Sequence, residues 1–485
     1  MLFWAVFGSV MGALALLAAI YFGVRTPRKE DVKQAVAEAI RPMRAELERF
    51  AEYLDGLPKA TPKIRDPFEE GRKLEEQYKY REAIQQYEAC FQPETTASQR
   101  AALHILIGNC FLRLSELEEA EGHYRQAEAA AKEAEDKEGL AVALGNMGII
   151  YRTRGERDKA LDFHQHALNI DREIGRKEGE ANQLGNIGLI YQTRGELTKA
   201  LEIYEQVLKI ERGIGRRWGE ANALGNIGLI YKTKGELDKA LDYHQQALNI
   251  NREIGRKGGE ANQLGNIGLI YKTRGELDKA LEHLEQALKI HREIGQKEGE
   301  ANQLGNIGLI YKTREELDKA LDYHQQAFNI HKEIGDREGE ANQLGNIGLI
   351  YKTRGERDKA LDYHQQSLKI NREIGQKEGE ANQLGNIGLI YADKGKADKA
   401  LEHLEQALKI HREIGGRWSE AADLNNIAGI YADKGESDRA LQYFEQALKI
   451  FEEIGAKIEI ETVKQIIQNI KESMKNTKGR KSGTV

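Results

Sequence analysis

The chain has 485 residues, 31% of them charged, and a formal net charge of −6. This balance gives no indication of non-specific nucleic-acid binding. Its two cysteines, Cys90 and Cys110, make no disulfide framework, and no Cys-x-x-Cys or His/Cys cluster points to a metal, so we expect free thiols in a reducing compartment and neither metal nor cofactor.

The first 24 residues carry no charged side chain. A helix rises about 1.5 Å per residue, so residues 1–24 can cross the roughly 30 Å hydrocarbon core of a membrane. A cleaved signal peptide is the alternative, but the basic segment that should precede its apolar run is missing. Arg25, Arg28, Lys29 and Lys33 all follow the span. By the positive-inside rule we predict a single-pass membrane anchor with the remainder of the chain in the cytoplasm.

Residues 25–65 predict a juxtamembrane helix and a proline-rich linker. Over residues 30–54, apolar residues alternate at steps of three and four, as along a coiled-coil seam. Pro42 interrupts this pattern, so a helical stalk without a partner and a dimerising helix are both open interpretations. Residues 57–67 indicate a semi-rigid linker because they contain three prolines. These are Pro58, Pro62 and Pro67.

An internal repeat of 40 residues dominates the rest of the chain. The stretch GEANQLGNIGLIY begins at Gly179, and the copy at Gly219 differs from it only in Ala223, which replaces a glutamine. A fixed period of this length indicates a solenoid of stacked helical units. Unchanged copies begin at Gly259, Gly299, Gly339 and Gly379.

We predict a repeat array over residues 66–457, with about ten units, eight of them of 40 residues and starting near residue 138. In each unit the first helix ends near a Thr-Arg-Gly segment, and the second ends at a glycine, the residue expected after a helix C-terminus. We expect residues 458–474 to form a capping helix over the exposed end of the array, and the basic residues 475–485 to form a disordered tail. The helix-ending glycines are Gly175, Gly215, Gly255, Gly295, Gly335, Gly375, Gly415 and Gly455.

The unit matches the tetratricopeptide pattern of a glycine, an aromatic residue, an alanine and a second aromatic position. Gly228, Tyr231, Ala240 and His244 have this spacing, with histidine in the last place. The long unit, with its Gly-Glu-Ala-x-x-Leu-x-Asn and Arg-Glu-Ile-Gly segments, resembles the arrays of Pins-type spindle-orientation proteins, kinesin light chains and bacterial Rap regulators. The resemblance implies an all-α fold, a right-handed α-solenoid of about ten tetratricopeptide helix pairs after the transmembrane helix. The Gα-binding motifs of the Pins type have no counterpart here.

One face of the repeated first helix has an unusual composition. Advancing about 100° per residue places Asn182, Gly185, Asn186 and Leu189 opposite the packing face. Glycine costs up to about 1 kcal/mol against alanine in a helix, and asparagine is also a poor helix former, so helix stability does not explain these residues. The resemblance implies that first helices line the concave surface and that the positions of Asn182 and Asn186 hold ligands. Gly185 would then let a ligand backbone approach closely.

We therefore predict a groove that binds a peptide or protein partner. A structural ladder of asparagines between neighbouring units is the alternative, and recent duplication alone would also preserve identical copies. The predicted groove residues are Asn182, Asn186, Leu189, Asn222, Asn226, Leu229, Asn262, Asn266, Leu269, Asn302, Asn306, Leu309, Asn342, Asn346, Leu349, Asn382, Asn386 and Leu389. A row of lysines flanks them and either favours acidic ligands or is an ordinary solvated edge. These are Lys232, Lys272, Lys312 and Lys352.

The recurring histidines indicate packing rather than metal binding. Adjacent units lie about 10 Å apart, whereas every ligand of a zinc ion lies about 2 Å from it. His244, His324 and His364 are therefore expected in the core. His291, His331 and His411, late in the second helix, are expected to be exposed at helix ends.

No nucleophile–base constellation is found, so we predict that the protein is not an enzyme. The predicted function is a non-catalytic, membrane-anchored scaffold or adaptor that recruits a partner protein or peptide, with no nucleic-acid partner. One alternative is a peptide-responsive regulatory sensor of the Rap-like type. Another is a self-assembling scaffold, a homo-oligomer in which one molecule's stalk or tail lies in the groove of the next.

Overall fold

The computed structural model describes residues 62–77 and 79–482, and all 21 of its regular elements there are helices. The chain divides after Ile270 into two compact units. The helices of the first unit are α1 (Pro62–Glu76), α2 (Tyr80–Glu88), α3 (Ala97–Arg113), α4 (Leu117–Glu133), α5 (Lys137–Thr153), α6 (Arg157–Glu173), α7 (Lys177–Thr193), α8 (Leu197–Gly213), α9 (Arg217–Thr233) and α10 (Leu237–Glu253), and α11 (Lys257–Thr273) contains the division. Those of the second unit are α12 (Leu277–Glu293), α13 (Lys297–Thr313), α14 (Leu317–Ile334), α15 (Arg337–Thr353), α16 (Arg357–Glu373), α17 (Lys377–Asp393), α18 (Ala397–Ile414), α19 (Arg417–Asp433), α20 (Ser437–Ile454) and α21 (Lys457–Ser482).

Within each unit the helices stack in sequence order as pairs. From α1 to α10, and again from α12 to α21, each helix packs against the next. The first helices of adjacent pairs also touch, as α5 does with α7 and α17 with α19. The alanine of the repeat pattern in the second helix allows this close packing, since it is fully buried in pair after pair. Those residues are Ala120, Ala160, Ala200, Ala240, Ala280, Ala320, Ala360, Ala400 and Ala440.

Glycines end the second helices, as the sequence predicts. Gly175 has a φ of +73°, a left-handed conformation that glycine adopts without steric cost. Its N–H bonds to the carbonyl of Arg172, and the N–H of Arg176 bonds to that of Asp171, which satisfies two carbonyls at the helix end. The same geometry returns at each predicted glycine up to Gly455.

Two predicted boundaries differ from the structure. The linker prediction for residues 57–67 is wrong over its last part, because α1 begins at Pro62 and includes Pro67. Proline is tolerated at the first helical position, and Ile64, 1% exposed, packs into the core of the first pairs and holds this turn in place. At the other end, α21 continues through residues 475–482, for which the sequence predicts a disordered tail.

The predicted membrane anchor, residues 1–24, and the juxtamembrane helix lie outside the described residues. Across residues 62–77 and 79–482, no helix has both the length and the apolar composition needed to cross a bilayer.

Candidate functional site

The predicted groove residues share one side of the first helices. In each of the six copies the first asparagine, as at Asn182, is exposed. The second asparagine and the leucine, as at Asn186 and Leu189, are half-buried. The opposite side packs into the core, where Ala181 and Leu184 are at most 2% exposed. Each of these helices therefore presents two amides and an apolar side chain away from the core.

Two cavities lie along this side, one in each unit. In the first unit a cavity of about 510 Å³ is lined by Asn182 and Asn186 of α7 and by Asn222 and Asn226 of α9. In the second unit a cavity of about 530 Å³ is lined by Asn302 and Asn342. The structure thus brings predicted residues of adjacent pairs together. Of the predicted asparagines and leucines, those that line neither cavity are Leu229, Asn262, Asn266, Leu269, Asn306, Leu309, Asn346, Leu349, Asn382, Asn386 and Leu389.

The hydrogen bonding of the exposed asparagines differs between copies. In the first unit, Asn182 Oδ1 accepts from Arg216 at 3.0 Å, and Asn222 Oδ1 accepts from Arg256 at 2.8 Å. These bonds join neighbouring pairs, as the ladder alternative requires. The side chains of Asn302, Asn342 and Asn382 bond to no other described residue. The arginine position is occupied there by Asp336, Gln376 and Gly416.

The four lysines of the predicted groove edge are all half-buried. Burial lowers the pKa of Lys232 and of Lys312. Neither of these ammonium groups, nor that of Lys352, forms an ion pair within the part of the chain that the structure describes. They are not ordinary solvated charges, and a negative group that reached them would find them without a partner.

Buried histidine–glutamine contacts connect successive pairs. His164 Nδ1 of α6 donates to Gln183 Oε1 of α7 at 2.9 Å. Burial lowers the pKa of all four such histidines, to about 4 for His164. The prediction that His244, His324 and His364 pack in the core is confirmed, since each is fully buried. The other contacts, each at 2.8 Å, are His244–Gln263, His324–Gln343 and His364–Gln383.

One glutamine lacks this contact. At Gln303 the preceding pair supplies Leu284 instead of histidine, and Gln303 Oε1 is buried with no partner in the described chain. At Tyr204 the histidine is also absent, but there the following pair carries Ala223 in place of glutamine.

The glycines of the repeated helix accommodate these contacts. A Cβ on Gly228 would lie 2.8 Å from His244 Nε2, and one on Gly225 would lie 3.2 Å from the Gln263 amide. The predicted role of the Gly185 position, close approach of a ligand backbone, is therefore wrong for the copies at Gly225, Gly305 and Gly345, because the glutamine of the next pair fills the space. Gly185 itself is open, with nothing within 4 Å of an added Cβ.

The prediction that His291, His331 and His411 are exposed is wrong, since they are at most 3% exposed. His331 lies against Gly339 at the start of the next helix, and His291 against Gly299 in the same way. His331 Nδ1 donates to Asp336 at 2.8 Å and His411 Nδ1 to Asp423 at 2.6 Å. For His291 and His331 a sequence signal was available, because a glycine eight residues further on leaves space for a ring.

No group of three or more His, Cys, Asp or Glu side chains in the described ranges is placed to hold a metal ion. The chemistry that this side offers consists of amides, half-buried ammonium groups and apolar patches.

Comparison with known proteins agrees with this architecture. A family model described as "Tetratricopeptide repeat" matches residues 99–173, 179–253, 219–293, 259–333, 300–373 and 380–453. No curated protein sequence matches the chain.

Solved structures share the fold at low sequence identity. A signal transduction ATPase with numerous domains from Pyrococcus horikoshii, which has a tetratricopeptide repeat sensor, superposes with a TM-score of 0.53 at 16% identity over 78% of this chain and 56% of that one. The apo form of the quorum sensor NprR from B. thuringiensis gives 0.51 at 14% identity over 73% and 97%. Aspartyl phosphate phosphatase F from Bacillus subtilis gives 0.50 at 15% identity over 74% and 94%.

Proposed function

The chain belongs to the tetratricopeptide repeat family, and we propose that it is a non-catalytic scaffold that binds an extended segment of a partner protein along its first helices. The observation that supports this is the cavity between α13 and α15, which is lined by Asn302 and Asn342. Neither amide is bonded to another described residue. An amide carries two donors and an acceptor, so each can pair with both the N–H and the C=O of a bound backbone.

The spacing of the helix pairs fits such a ligand. Adjacent pairs lie about 10 Å apart, and an extended chain advances about 3.3 Å per residue, so about every third ligand residue would meet an equivalent amide. The half-buried Lys232, Lys312 and Lys352 have no ion-pair partner among the described residues, and this favours acidic residues in the ligand. We therefore propose an extended peptide segment as the ligand class, with its acidic residues beside the lysines. Uncharged residues would lie at the cavity between α13 and α15, because Glu298, Asp336 and Glu338 line it.

The contrast between the two units supplies a test. In the second unit, Asn302→Ala/Asn342→Ala should raise the free energy of unfolding by up to about 1 kcal/mol, since alanine is the better helix former. In the first unit, Asn182→Ala/Asn222→Ala should lower it by about 1 kcal/mol, because the two lost hydrogen bonds to arginines outweigh the same gain in helix propensity. Urea unfolding of the full chain measures both.

Binding is measured with peptides selected from a displayed random library against the full chain. Asn302→Ala/Asn342→Ala should weaken their binding about tenfold, the loss of one or two hydrogen bonds. A stability loss with intact binding would show that these asparagines are structural and would end the groove proposal.

A peptide-responsive sensor is the second candidate. Two of the proteins with this fold are named as a quorum sensor and as carrying a tetratricopeptide repeat sensor. Small-angle scattering with and without a selected peptide distinguishes the two candidates. A sensor changes its radius of gyration on binding, whereas a rigid scaffold keeps it.

We also propose that residues 1–24 anchor the protein, on the grounds of their uncharged sequence and the basic residues that follow. N-terminal sequencing of the mature protein should then begin at Met1, and a start near residue 20 would contradict an anchor. Cys90 and Cys110 cannot report orientation, because they are fully buried and burial raises the pKa of each to about 12. A cysteine introduced at the exposed Thr198 should react with an impermeant maleimide only after lysis, and reaction in intact cells would exclude a cytoplasmic array.

A further inference from the structure

The junction where α8 meets α9 differs from the four junctions that have a histidine–glutamine contact. At those four, a histidine of the second helix meets a glutamine that fills the space over a glycine. Here Tyr204 and Ala223 take these places, and nothing lies within 4 Å of a Cβ on Gly185. The space left by the missing glutamine belongs to the cavity of about 510 Å³, which both residues line.

The Tyr204 hydroxyl lacks the hydrogen-bond acceptor that the equivalent tyrosine of an earlier pair has. In an earlier pair, the hydroxyl of the equivalent Tyr124 donates to Asn109 Oδ1 at 2.8 Å. The position equivalent to Asn109 is Leu189, which cannot accept a hydrogen bond. Tyr204 is 1% exposed and bonds to no other described residue, although it lines the cavity. Because Tyr204 lines the cavity, its hydroxyl is placed to donate to an acceptor of a bound ligand.

The charged groups around the cavity are already compensated. The guanidinium of Arg216 pairs with both carboxylate oxygens of Glu211, and Arg176 pairs with Asp171 at 2.7 Å. A charged ligand group here would have no free partner and would lose its hydration, which is costly in a partly buried site. The rest of the wall consists of side-chain amides, such as Asn222 and Asn226, and of apolar or aromatic side chains, which include Val207 and Trp218.

We infer that this cavity is the specificity pocket of the groove and takes one bulky apolar side chain of the bound peptide, while the Tyr204 hydroxyl donates to a carbonyl of the peptide backbone beside it. This inference rests on the proposed peptide binding. The volume of the cavity lies within the roughly 300–1,000 Å³ range of small-ligand pockets. It is large enough for one large side chain with its flanking backbone. Leu, Ile, Phe or Trp in the ligand would dock here, and the amides and lysines of other pairs would hold the remainder.

The chain itself supplies the variant that closes the pocket. Tyr204→His/Ala223→Gln copies the pair found at four other junctions, and Gly185 and Gly188 already leave space for both side chains. We expect this variant to fold as the parent does. Peptides from the displayed random library, selected on the parent chain, should bind it at least about tenfold more weakly, as expected for loss of a hydrophobic pocket contact.

The matching change in the peptide completes the experiment. Replacing the apolar residue of a selected peptide by alanine should weaken binding to the parent chain and leave binding to Tyr204→His/Ala223→Gln unchanged. Leu284→His, which supplies a partner for Gln303 away from this pocket, is the control and should bind like the parent. Equal affinity of the selected peptides for the parent and for Tyr204→His/Ala223→Gln would overturn the inference.

The hydroxyl has its own test. Tyr204→Phe keeps the ring, so it should leave the free protein as stable or more stable while weakening peptide binding by about fivefold, the equivalent of one hydrogen bond. Unchanged affinity would remove the hydroxyl from the site.

Failure of the pocket and failure of the proposed function are distinguishable. Peptides that bind, respond to Asn302→Ala/Asn342→Ala and ignore Tyr204→His/Ala223→Gln contradict only the pocket. A library that yields no binder on the parent chain contradicts peptide binding itself, and the inference with it.

Discussion

The repeat array should lose stability steeply as the pH falls from 7 to 5. His164, His244, His324 and His364 are fully buried, and burial lowers their pKa from the ordinary 6.5. In this pH range the unfolded chain binds protons at these sites and the folded chain does not. Unfolding therefore takes up protons, and the free energy of unfolding decreases as the pH decreases. For His164, with a folded pKa of about 4, the loss by pH 5 is about 2 kcal/mol.

Between pH 7 and 5, the loss of stability comes from the buried histidines and not from the paired carboxylates. Paired carboxylates such as Glu180 and Glu260 have a pKa lowered from 4.5, so the stability that they contribute is lost only at lower pH. His164→Tyr/Gln183→Ala copies the natural Tyr204 and Ala223 combination and should flatten the pH dependence by one histidine's share. Urea unfolding at pH 7, 6 and 5 measures this, and an identical slope for parent and variant would disprove the role of the histidine.

Two glycine substitutions in equivalent helices should have opposite effects. Gly228→Ala should destabilise the protein by about 2 kcal/mol, because the new methyl overlaps the His244 ring and overpacking typically costs about that much. Its Cβ would lie 2.8 Å from Nε2 and 2.9 Å from Cδ2 of that ring, which is itself fixed by Gln263. Gly185→Ala should stabilise the protein by about 1 kcal/mol, since the methyl meets nothing and alanine favours the helix.

Thermal or urea unfolding of the two variants beside the parent decides the matter. Both glycines lie in the helix interior within a Gly-Asn-Ile-Gly segment, so helix propensity alone predicts the same gain in stability for both. Equal stabilisation would mean that the histidine does not depend on the glycine, and it would remove the packing explanation for this residue.

The fold was accessible from the sequence because each unit repeats its own signals. The period fixed the helix pairs, and glycines such as Gly175 fixed the ends of the second helices. The start of α1 at Pro62 could not be predicted, because Pro62 and Pro67 are typical of a linker. The burial of Ile64, which stabilises the helix there, is visible only in the structure.

The site was accessible only in part. Helical geometry alone places Asn182 and Leu189 on the side away from the core, and the structure agrees. The buried role of the neighbouring glutamine could not be obtained from one helix, because its histidine partner lies in the preceding pair, 19 residues earlier. A comparison between copies does contain the signal, since the copy with Tyr204 is followed directly by the copy with Ala223. The exposure of His291 and His331 was predicted wrongly because a polar residue late in a helix is usually solvated. Here the next helix covers each of these side chains.

The division of each histidine–glutamine contact between two pairs has an evolutionary consequence. When recombination inserts, removes or exchanges a whole repeat, the histidine travels with one copy and the glutamine with the next. Each event therefore creates at most two new boundaries where partners can be mismatched. Gln303, beside Leu284 and without a bond for its Oε1, is the kind of mismatch that such an event leaves. Two other boundaries without the histidine avoid an unpaired glutamine, because Ala223 follows Tyr204 and because Asp423, which follows Leu404, bonds to His411. The gene can therefore change length by whole repeats, with selection needing to repair at most two junctions at a time.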